Sequence, residues 1–415
     1  MTSKATPPWR SRAPLFAFFA ANLISYVGDR LTLLAIPWFV LQTTGSVVKT
    51  GITAFFTTLP TILSAFLSGL LVDRLGYKRA SVIGDIASGA GVALIPLLYS
   101  TVGLAFWQLL VLVFLGGLLK APGETARASL VPDLGRDSQI PMERVNAIGD
   151  GLSRVSGFLG APLAAVLIVL IGASNLLWLD GASFFISALL IGTVVAPTPI
   201  VAGMKEGEEA SPSKLLDGLR FVLRNRLLLS MIITSTITNL LDAALFSVAM
   251  PVYARQIWGS VLPIGVLSAT FGGCAFLSTL IFGAIGHRLP RRMTFSLCFI
   301  AIGVRFWALA LRLPLPMLIG VYALNGLAVG PINPIAMTVE QEAIPVEMRA
   351  RVFGATAAGY LAGIPIGGLV GGYLIGWLGL LPALFTMGAC YLLVTSSLLI
   401  NPALKDMQKP SVVTE

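Results

Sequence analysis

The chain has 415 residues, of which 56% are hydrophobic and 11% are charged, and its formal net charge is +9. A soluble protein of ordinary composition carries about 25% charged residues, so the composition excludes a soluble globular protein. The excess of basic residues does not by itself indicate a nucleic-acid partner. Its distribution along the chain decides whether it indicates such a partner or the orientation of a membrane protein.

Twelve apolar runs follow one another along the chain, each long enough to cross the hydrocarbon core as a helix. Helices are required because lipid-exposed backbone must form its hydrogen bonds within the segment. The runs lie near residues 14–42, 47–72, 80–100, 103–126, 145–171, 174–198, 227–254, 261–286, 293–311, 314–338, 351–376 and 379–401. The sequence therefore predicts an all-α membrane protein with about twelve transmembrane helices.

A long polar stretch separates the sixth run from the seventh. Its mixed charges predict a linker that is in part an amphipathic helix on the membrane surface. We therefore predict an N-terminal six-helix half over residues 1–200, a cytoplasmic linker over 201–226 and a C-terminal six-helix half over 227–415.

The loop between the second and third runs carries glycine and charged residues at fixed spacing. They are Gly69, Asp73, Arg74, Gly76, Lys78 and Arg79. This pattern resembles the loop between helices two and three of the major facilitator superfamily, G-x-x-x-D-R-x-G-x-K/R-R. The resemblance implies a transporter in which these residues form a cytoplasmic gate, with the aspartate held by the start of the eleventh helix.

A degenerate second copy of this loop indicates an internal repeat. Arg288 lies 214 residues after Arg74, and Pro251 lies 214 residues after Pro37. Such a repeat predicts two pseudo-symmetric halves of the same orientation, with a substrate site near the bilayer midplane. His287 replaces the aspartate, so the second gate has lost its acid.

Lysine and arginine are distributed unevenly between the two sides of the membrane. With the N-terminus inside, 21 of them, Arg127 included, fall in cytoplasmic segments, against three on the opposite side. The asymmetry predicts both termini in the cytoplasm. The positive charge is thus a topology signal, and a nucleic-acid partner has no support.

Several stretches are similar to the bacterial macrolide-efflux and enterobactin-exporter branch of the superfamily. They include Ser25–Arg30, Leu130–Pro132, Leu179–Phe184 and Glu342–Val352. The resemblance implies a monomer of the bacterial inner membrane that exports small apolar or amphiphilic compounds, such as macrolides, other drugs or a siderophore, in exchange for protons.

The fifth run is expected to carry an antiporter motif, G-x-x-x-G-P-x-x-G-G. Gly157 and Pro162 match it, whereas Ala161 and Ala165 replace two glycines. Antiport-type helix packing and ordinary packing of small residues around a proline kink remain equally good interpretations.

Charged residues inside the runs cost free energy to insert into the membrane, so each is expected to have a structural or functional role. Two pairs, Lys120 with Glu124 and Asp150 with Arg154, are spaced i,i+4, with Arg127 one turn beyond Glu124. This spacing predicts mutual neutralisation and gating, and contact with the substrate is the alternative. Further members of this charge network are Arg30, Asp180 and Arg305. Asp180 and Asp85 lie near run ends and are expected to reach the interface. Arg305 is unpaired locally and is expected to meet an anionic substrate or a buried acid.

Asp29 and Asp242 are the candidates for proton coupling. Each lies about halfway along its run, and aligning the two prolines of the repeat puts Asp242 one position from Asp29. A carboxyl group in an apolar environment binds a proton more readily than one in water, as a proton carrier must. The alternative for Asp29 is a structural pair with Arg30.

An enzyme is disfavoured, since one histidine and three cysteines within apolar runs form no catalytic or metal-ligating constellation. No cofactor is expected, and the predicted partners are a small-molecule substrate, protons and the lipid bilayer. The alternatives left open are a metabolite importer of the same fold, a lipid flippase and a receptor.

Overall fold

The computed structural model describes residues 8–195, 212–345 and 348–408. Within these ranges, twelve helices are long and apolar enough to cross a membrane. The predicted all-α membrane fold is therefore confirmed. The first part of the predicted linker, residues 201–211, lies outside the described residues.

The first six helices are separated by very short turns. They are α1 (Pro8–Thr44), α2 (Val47–Leu75), α3 (Tyr77–Thr101), α4 (Phe106–Ser138), α5 (Met142–Ile171) and α6 (Ala173–Val194). Glycines with positive φ stand at several of these turns, and Gly76 has φ of 76° directly between α2 and α3. A residue with a Cβ adopts that conformation only at a cost, so glycine permits the tight reversal there.

The remaining helices begin with a short amphipathic one. They are α7 (Pro212–Arg224), α8 (Arg226–Trp258), α9 (Leu262–Ile285), α10 (Arg291–Ala310), α11 (Leu315–Ala343), α12 (Arg349–Leu378) and α13 (Leu380–Ile400). In α8, the segments Leu245–Ala249 and Ala254–Trp258 are wound as π-helix, on either side of Pro251. Such widened turns often mark functional sites.

The chain divides into two compact units. Unit 1 comprises residues 1–45 and 53–205, and unit 2 comprises residues 46–52 and 206–415. Within unit 1, α1 packs against α5 and α6, and α3 packs against α4 and α6. Five helices that carry ionisable residues are thereby brought side by side.

In unit 2, α9 packs against α11, α8 against α12, and α10 against both α11 and α13. The short helix α7 also packs against α12, where Val222 joins a buried cluster with Ile344 and Val352. The described end of the predicted linker is therefore anchored on unit 2 by apolar contacts.

Small residues set the distance between α9 and α11. A Cβ built at Gly326 would overlap with the carbonyl oxygen of Phe271, and one built at Gly330 would overlap with Ser278. Close approach of membrane helices at small residues is a main source of their packing energy. The helix pair therefore depends on the absence of side chains at these two positions.

We predict that Gly326→Ala lowers the thermal stability of the purified protein, because overpacking of a tight contact costs about 1–3 kcal/mol. The control is Gly320→Ala in the same helix, where an added Cβ would have nothing within 4 Å. Thermal unfolding in detergent compares the two variants. Equal melting temperatures would contradict the role assigned to Gly326.

Candidate functional site

An ion pair joins the middle of α1 to α4. The Lys120 Nζ lies 2.7 Å from the Asp29 Oδ1, and the two side chains are 30% and 16% exposed. Within the described residues, Lys120 forms its salt bridge with Asp29 and none with Glu124, although the charges of Lys120 and Glu124 still interact. The reason is that α1 presents an acid to Lys120 from outside its own helix.

This ion pair borders a cavity of about 350 Å³ in unit 1. The cavity lining combines charged, aromatic and aliphatic side chains, namely Tyr26, Asp29, Arg30, Leu33, Lys120, Glu124 and Ser153. Two acids and two bases thus share a space large enough for part of a small molecule, with apolar surface beside them.

The fifth helix positions Arg30 in this cavity. A Cβ at Gly160 would overlap with the Cβ of Arg30, and one at Gly157 would lie 4.0 Å from its Nη2. The stem of Arg30 therefore lies in a groove on α5 that side chains would close. The other two motif positions, Ala161 and Pro162, are half-buried in the same helix.

A buried network fixes α3, α4, α6 and α1 to one another. Arg127 forms a salt bridge with Asp85 and donates to Ser187 Oγ at 3.1 Å, to Asn22 Oδ1 at 3.2 Å and to Ser81 Oγ at 3.3 Å. Ser187 Oγ also donates to Asp85 Oδ2 at 2.8 Å. The arginine is thus satisfied from several helices at once.

This network corrects two sequence-based expectations. Asp85 was expected at the membrane interface, and Arg127 was counted with the cytoplasmic charges, yet they are only 4% and 5% exposed. Each charge meets its counterion across helices α3 and α4, which no local spacing reveals. Loss of either partner would destabilise the bundle, because the remaining one would be a buried, uncompensated charge.

Asp180 on α6 was likewise expected to reach the interface and is buried instead, with 1% exposure. Its carboxylate accepts hydrogen bonds from the hydroxyls of Thr32 on α1 and Ser183 on α6. A Cβ at Gly28 would overlap with both acidic and hydroxyl side chains. Gly28 therefore allows α1 and α6 to approach closely around this carboxylate.

In unit 2, the predicted acid partner of Arg305 is Asp242. The two side chains form a salt bridge between α10 and α8. The Arg305 side chain is 1% exposed, and its guanidinium carbon lies 5.2 Å from the ring centre of Phe246 and 5.5 Å from that of Phe306. Of the two expectations for Arg305, the structure provides the buried acid.

Other charged residues lie at the surface or in turns. Asp150 and Arg154 form a long pair of 4.0 Å with both side chains well exposed, which contributes little energy. In the loop pattern, Arg74 and Arg79 are exposed and Lys78 is half-buried. Gly69 and Asp73 lie in α2, and their surroundings are outside what the structure describes. Arg288 follows α9 in an exposed 3₁₀ turn.

Sequence reasoning missed a second set of polar contacts in unit 2. Glu340 near the end of α11 is 7% exposed and accepts a hydrogen bond from the Tyr360 hydroxyl on α12. Arg291 pairs with Glu342 at 2.6 Å. Glutamates directly after a late apolar run were the available signal. Within the described ranges, no three His, Cys, Asp or Glu side chains are grouped to hold a metal ion.

Twelve membrane-spanning helices with a charged cavity define a multi-pass membrane protein of the transporter class. The family model of the Major Facilitator Superfamily matches residues 18–241 and 232–412, and the chain belongs to that superfamily. It is accordingly a transporter of small molecules and not an enzyme.

Curated relatives are similar over nearly the whole chain. The multidrug efflux pump Tap of Mycobacterium tuberculosis is 30% identical over 402 residues, covering 96% of this chain and 95% of Tap. Macrolide efflux protein A of Streptococcus pyogenes is 18% identical over 360 residues, covering 85% and 87%. These similarities confirm the resemblance to efflux proteins of the superfamily that the sequence motifs indicated.

Solved structures share the fold at low identity. The nucleoside transporter NupG aligns with a TM-score of 0.77 at 12% identity and covers 93% of this chain and 98% of its own. A bacterial homologue of the human lysosomal transporter Spinster aligns with a TM-score of 0.69 at 14% identity, covering 97% and 98%. These likenesses establish the fold alone.

We predict that Asp85→Ala destabilises the protein by about 3–5 kcal/mol, because it leaves the Arg127 guanidinium buried without its acid. Thermal unfolding of the purified protein measures the effect. Asp133→Ala is the matched control, since Asp133 forms only an exposed pair with Arg136 at 3.7 Å. A melting temperature for Asp85→Ala as high as that of the control would contradict the structural role of the network.

Proposed function

We propose that the protein exports small apolar or amphiphilic compounds, such as macrolides, other drugs or a siderophore, in exchange for protons. The similarity to the multidrug efflux pump Tap and to macrolide efflux protein A supports export and this substrate class. The mixed lining of the cavity supports it too, because Tyr26 and Leu33 offer apolar contact beside charged groups.

The observation that carries the proton coupling is the ion pair between Asp29 and Lys120 at the cavity. A carboxylate there is neutralised by its partner and still partly accessible. Protonation of Asp29 would cancel its charge and free the ammonium group of Lys120 to turn toward another acid. Such an exchange of partners is a two-state element that a proton can bias.

Asp29 is a better proton carrier than Asp85, although both are paired carboxylates in unit 1. The Asp85–Arg127 network is deeply buried and satisfied by several helices, so protonation would break a stabilising structure. Asp29 borders the cavity and is bound by a single flexible lysine. A proton can therefore reach and leave it at smaller cost to the fold.

We further propose Asp242 as the counterpart of Asp29 in the C-terminal half. It pairs with Arg305 one turn before the π-helical segment of α8, where the helix is already widened. When Asp242 is protonated, the neighbouring rings of Phe246 and Phe306 would have to stabilise the guanidinium of Arg305.

We further propose a monomer of the bacterial cytoplasmic membrane, and the charge asymmetry of the loops supports an orientation with both termini inside. The halves proposed are residues 1–200 and 227–415, joined by a cytoplasmic linker over 201–226. The loop pattern around the Gly76 turn supports a cytoplasmic gate that includes Asp73 and Arg74, with Arg288 in the second copy. Alternating access would then open the halves to each side in turn.

We predict that Asp29→Asn abolishes pH-driven transport and leaves substrate exchange intact, because the amide cannot carry the proton. Proteoliposomes containing the protein are given an imposed pH gradient, and accumulation of a panel of dyes and macrolides is measured. The expected loss is at least about tenfold, equivalent to about 1.4 kcal/mol. Counterflow without a pH gradient measures exchange in the same vesicles.

Asp133→Asn is the matched control and should accumulate substrate at the parental rate, since Asp133 lies in an exposed pair away from the cavity lining. Persistent pH-driven accumulation by Asp29→Asn would mean that the proton travels elsewhere, with Glu124 or Asp180 as the next candidates. Absence of any accumulation by the parental protein would contradict proton-coupled export itself.

For the gate, we predict that Asp73→Asn leaves expression intact and abolishes turnover. A carboxylate at the end of α2 can accept hydrogen bonds from the free amides at another helix's N-terminus, where the helix dipole favours negative charge. An amide side chain lacks that charge. Membrane expression and transport rate are measured together, and a variant that transports at the parental rate would remove Asp73 from the gate.

A further inference from the structure

The cavity of unit 1 contains two charges that the protein itself leaves unpaired. Asp29 and Lys120 neutralise each other at 2.7 Å. The other two charged groups of the lining, Arg30 and Glu124, form no ion pair with another described residue of unit 1. Both side chains are exposed. The cavity therefore presents one free cation and one free anion among its described lining residues.

Arg30 is held in place by the shape of α5. Its Cβ lies against Gly160, where any side chain would overlap with it, and its Nη2 lies 4.0 Å from the position of a Cβ on Gly157. The guanidinium is thus placed along α5 before any ligand arrives. A positioned guanidinium binds a carboxylate through two parallel hydrogen bonds and retains its charge at every physiological pH.

Glu124 stands one turn beyond Lys120 on α4. Because Lys120 is engaged by Asp29 on α1, it leaves the Glu124 carboxylate open to the cavity. The same lining contains the ring of Tyr26 and the side chain of Leu33. An ammonium group could meet Glu124 while the apolar body of its molecule rests on these two side chains.

We propose that this cavity selects zwitterionic amphiphiles, with Arg30 binding an anionic group and Glu124 binding a cationic group of the same molecule. This inference rests on the proposed export function and names its substrate class more closely. A ligand with one charge would leave the protein charge of the same sign buried against apolar surface without a partner, which is unfavourable. A zwitterion provides a partner of opposite charge for Arg30 and for Glu124.

The test uses two fluorescent probes that differ at one position. Tetramethylrhodamine carries a free carboxylate beside its cationic ring system, and tetramethylrhodamine ethyl ester carries only the cation. Binding of each probe to the purified full-length protein is measured by fluorescence polarisation at constant pH. The parental protein should bind the zwitterion about tenfold more tightly than the ester, a ratio that corresponds to one charge-assisted contact.

Two variants separate the roles of the charges. Arg30→Gln should weaken zwitterion binding to the level of the ester and leave ester binding unchanged, whereas Glu124→Gln should weaken binding of both probes. Arg30→Lys, which keeps the charge without the planar fork, should retain part of the preference for the zwitterion. Asp133→Asn is the control and should match the parental protein with both probes.

Equal binding of the two probes by the parental protein, or tighter binding of the ester, would overturn the proposal without any variant. An equal loss of binding affinity for both probes in Arg30→Gln would also overturn the proposal, because it would mean that Arg30 contributes to packing alone. The assay contains no pH gradient, so its result is independent of proton coupling. Failure of pH-driven accumulation would instead contradict the proposed export mechanism and leave the binding preference standing.

Discussion

The cost of placing an ionised group within the membrane-spanning part of the chain governs the arrangement of this protein. Each such group needs an opposite charge, a hydrogen-bonding set or a water-filled cavity. In unit 1, Asp85 and Arg127 join α3 to α4, and Asp29 and Lys120 join α1 to α4. In unit 2, Asp242 and Arg305 join α8 to α10. These three ion pairs therefore each connect two different helices.

Close helix approach makes these connections possible. Glycine at position 28 brings α1 near α6 at Asp180, and Gly160 accommodates the stem of Arg30 on α5. Helices cannot gain from the hydrophobic effect when lipid is as apolar as their own side chains, so packing at small residues and polar contacts take its place. Glycine positions and ionisable residues thus act together, since the former set the distance that the latter bridge.

The helices could be predicted from sequence because the membrane imposes length and apolarity on each one. The turn at Gly76 was also readable, because glycine spacing marks a sharp reversal. The partners of Lys120 and Asp85 could not be read, because i,i+4 spacing describes one helix and both residues pair across helices. For Arg305, a buried acid was one of the two predicted partners, because its own helix offers no counterion.

The two units use buried charge in different ways. In unit 2, Arg305 is enclosed between two aromatic rings and its Nε has no hydrogen-bond partner among the described residues, an arrangement that favours a fixed structural pair. In unit 1, Lys120 and Asp29 remain partly exposed at a cavity that also holds two unpaired charges. A flexible ammonium can exchange partners at little cost, whereas an enclosed guanidinium cannot. In the proposed coupling, the Asp29–Lys120 pair of the first unit would therefore change partner at smaller cost than the Asp242–Arg305 pair of the second.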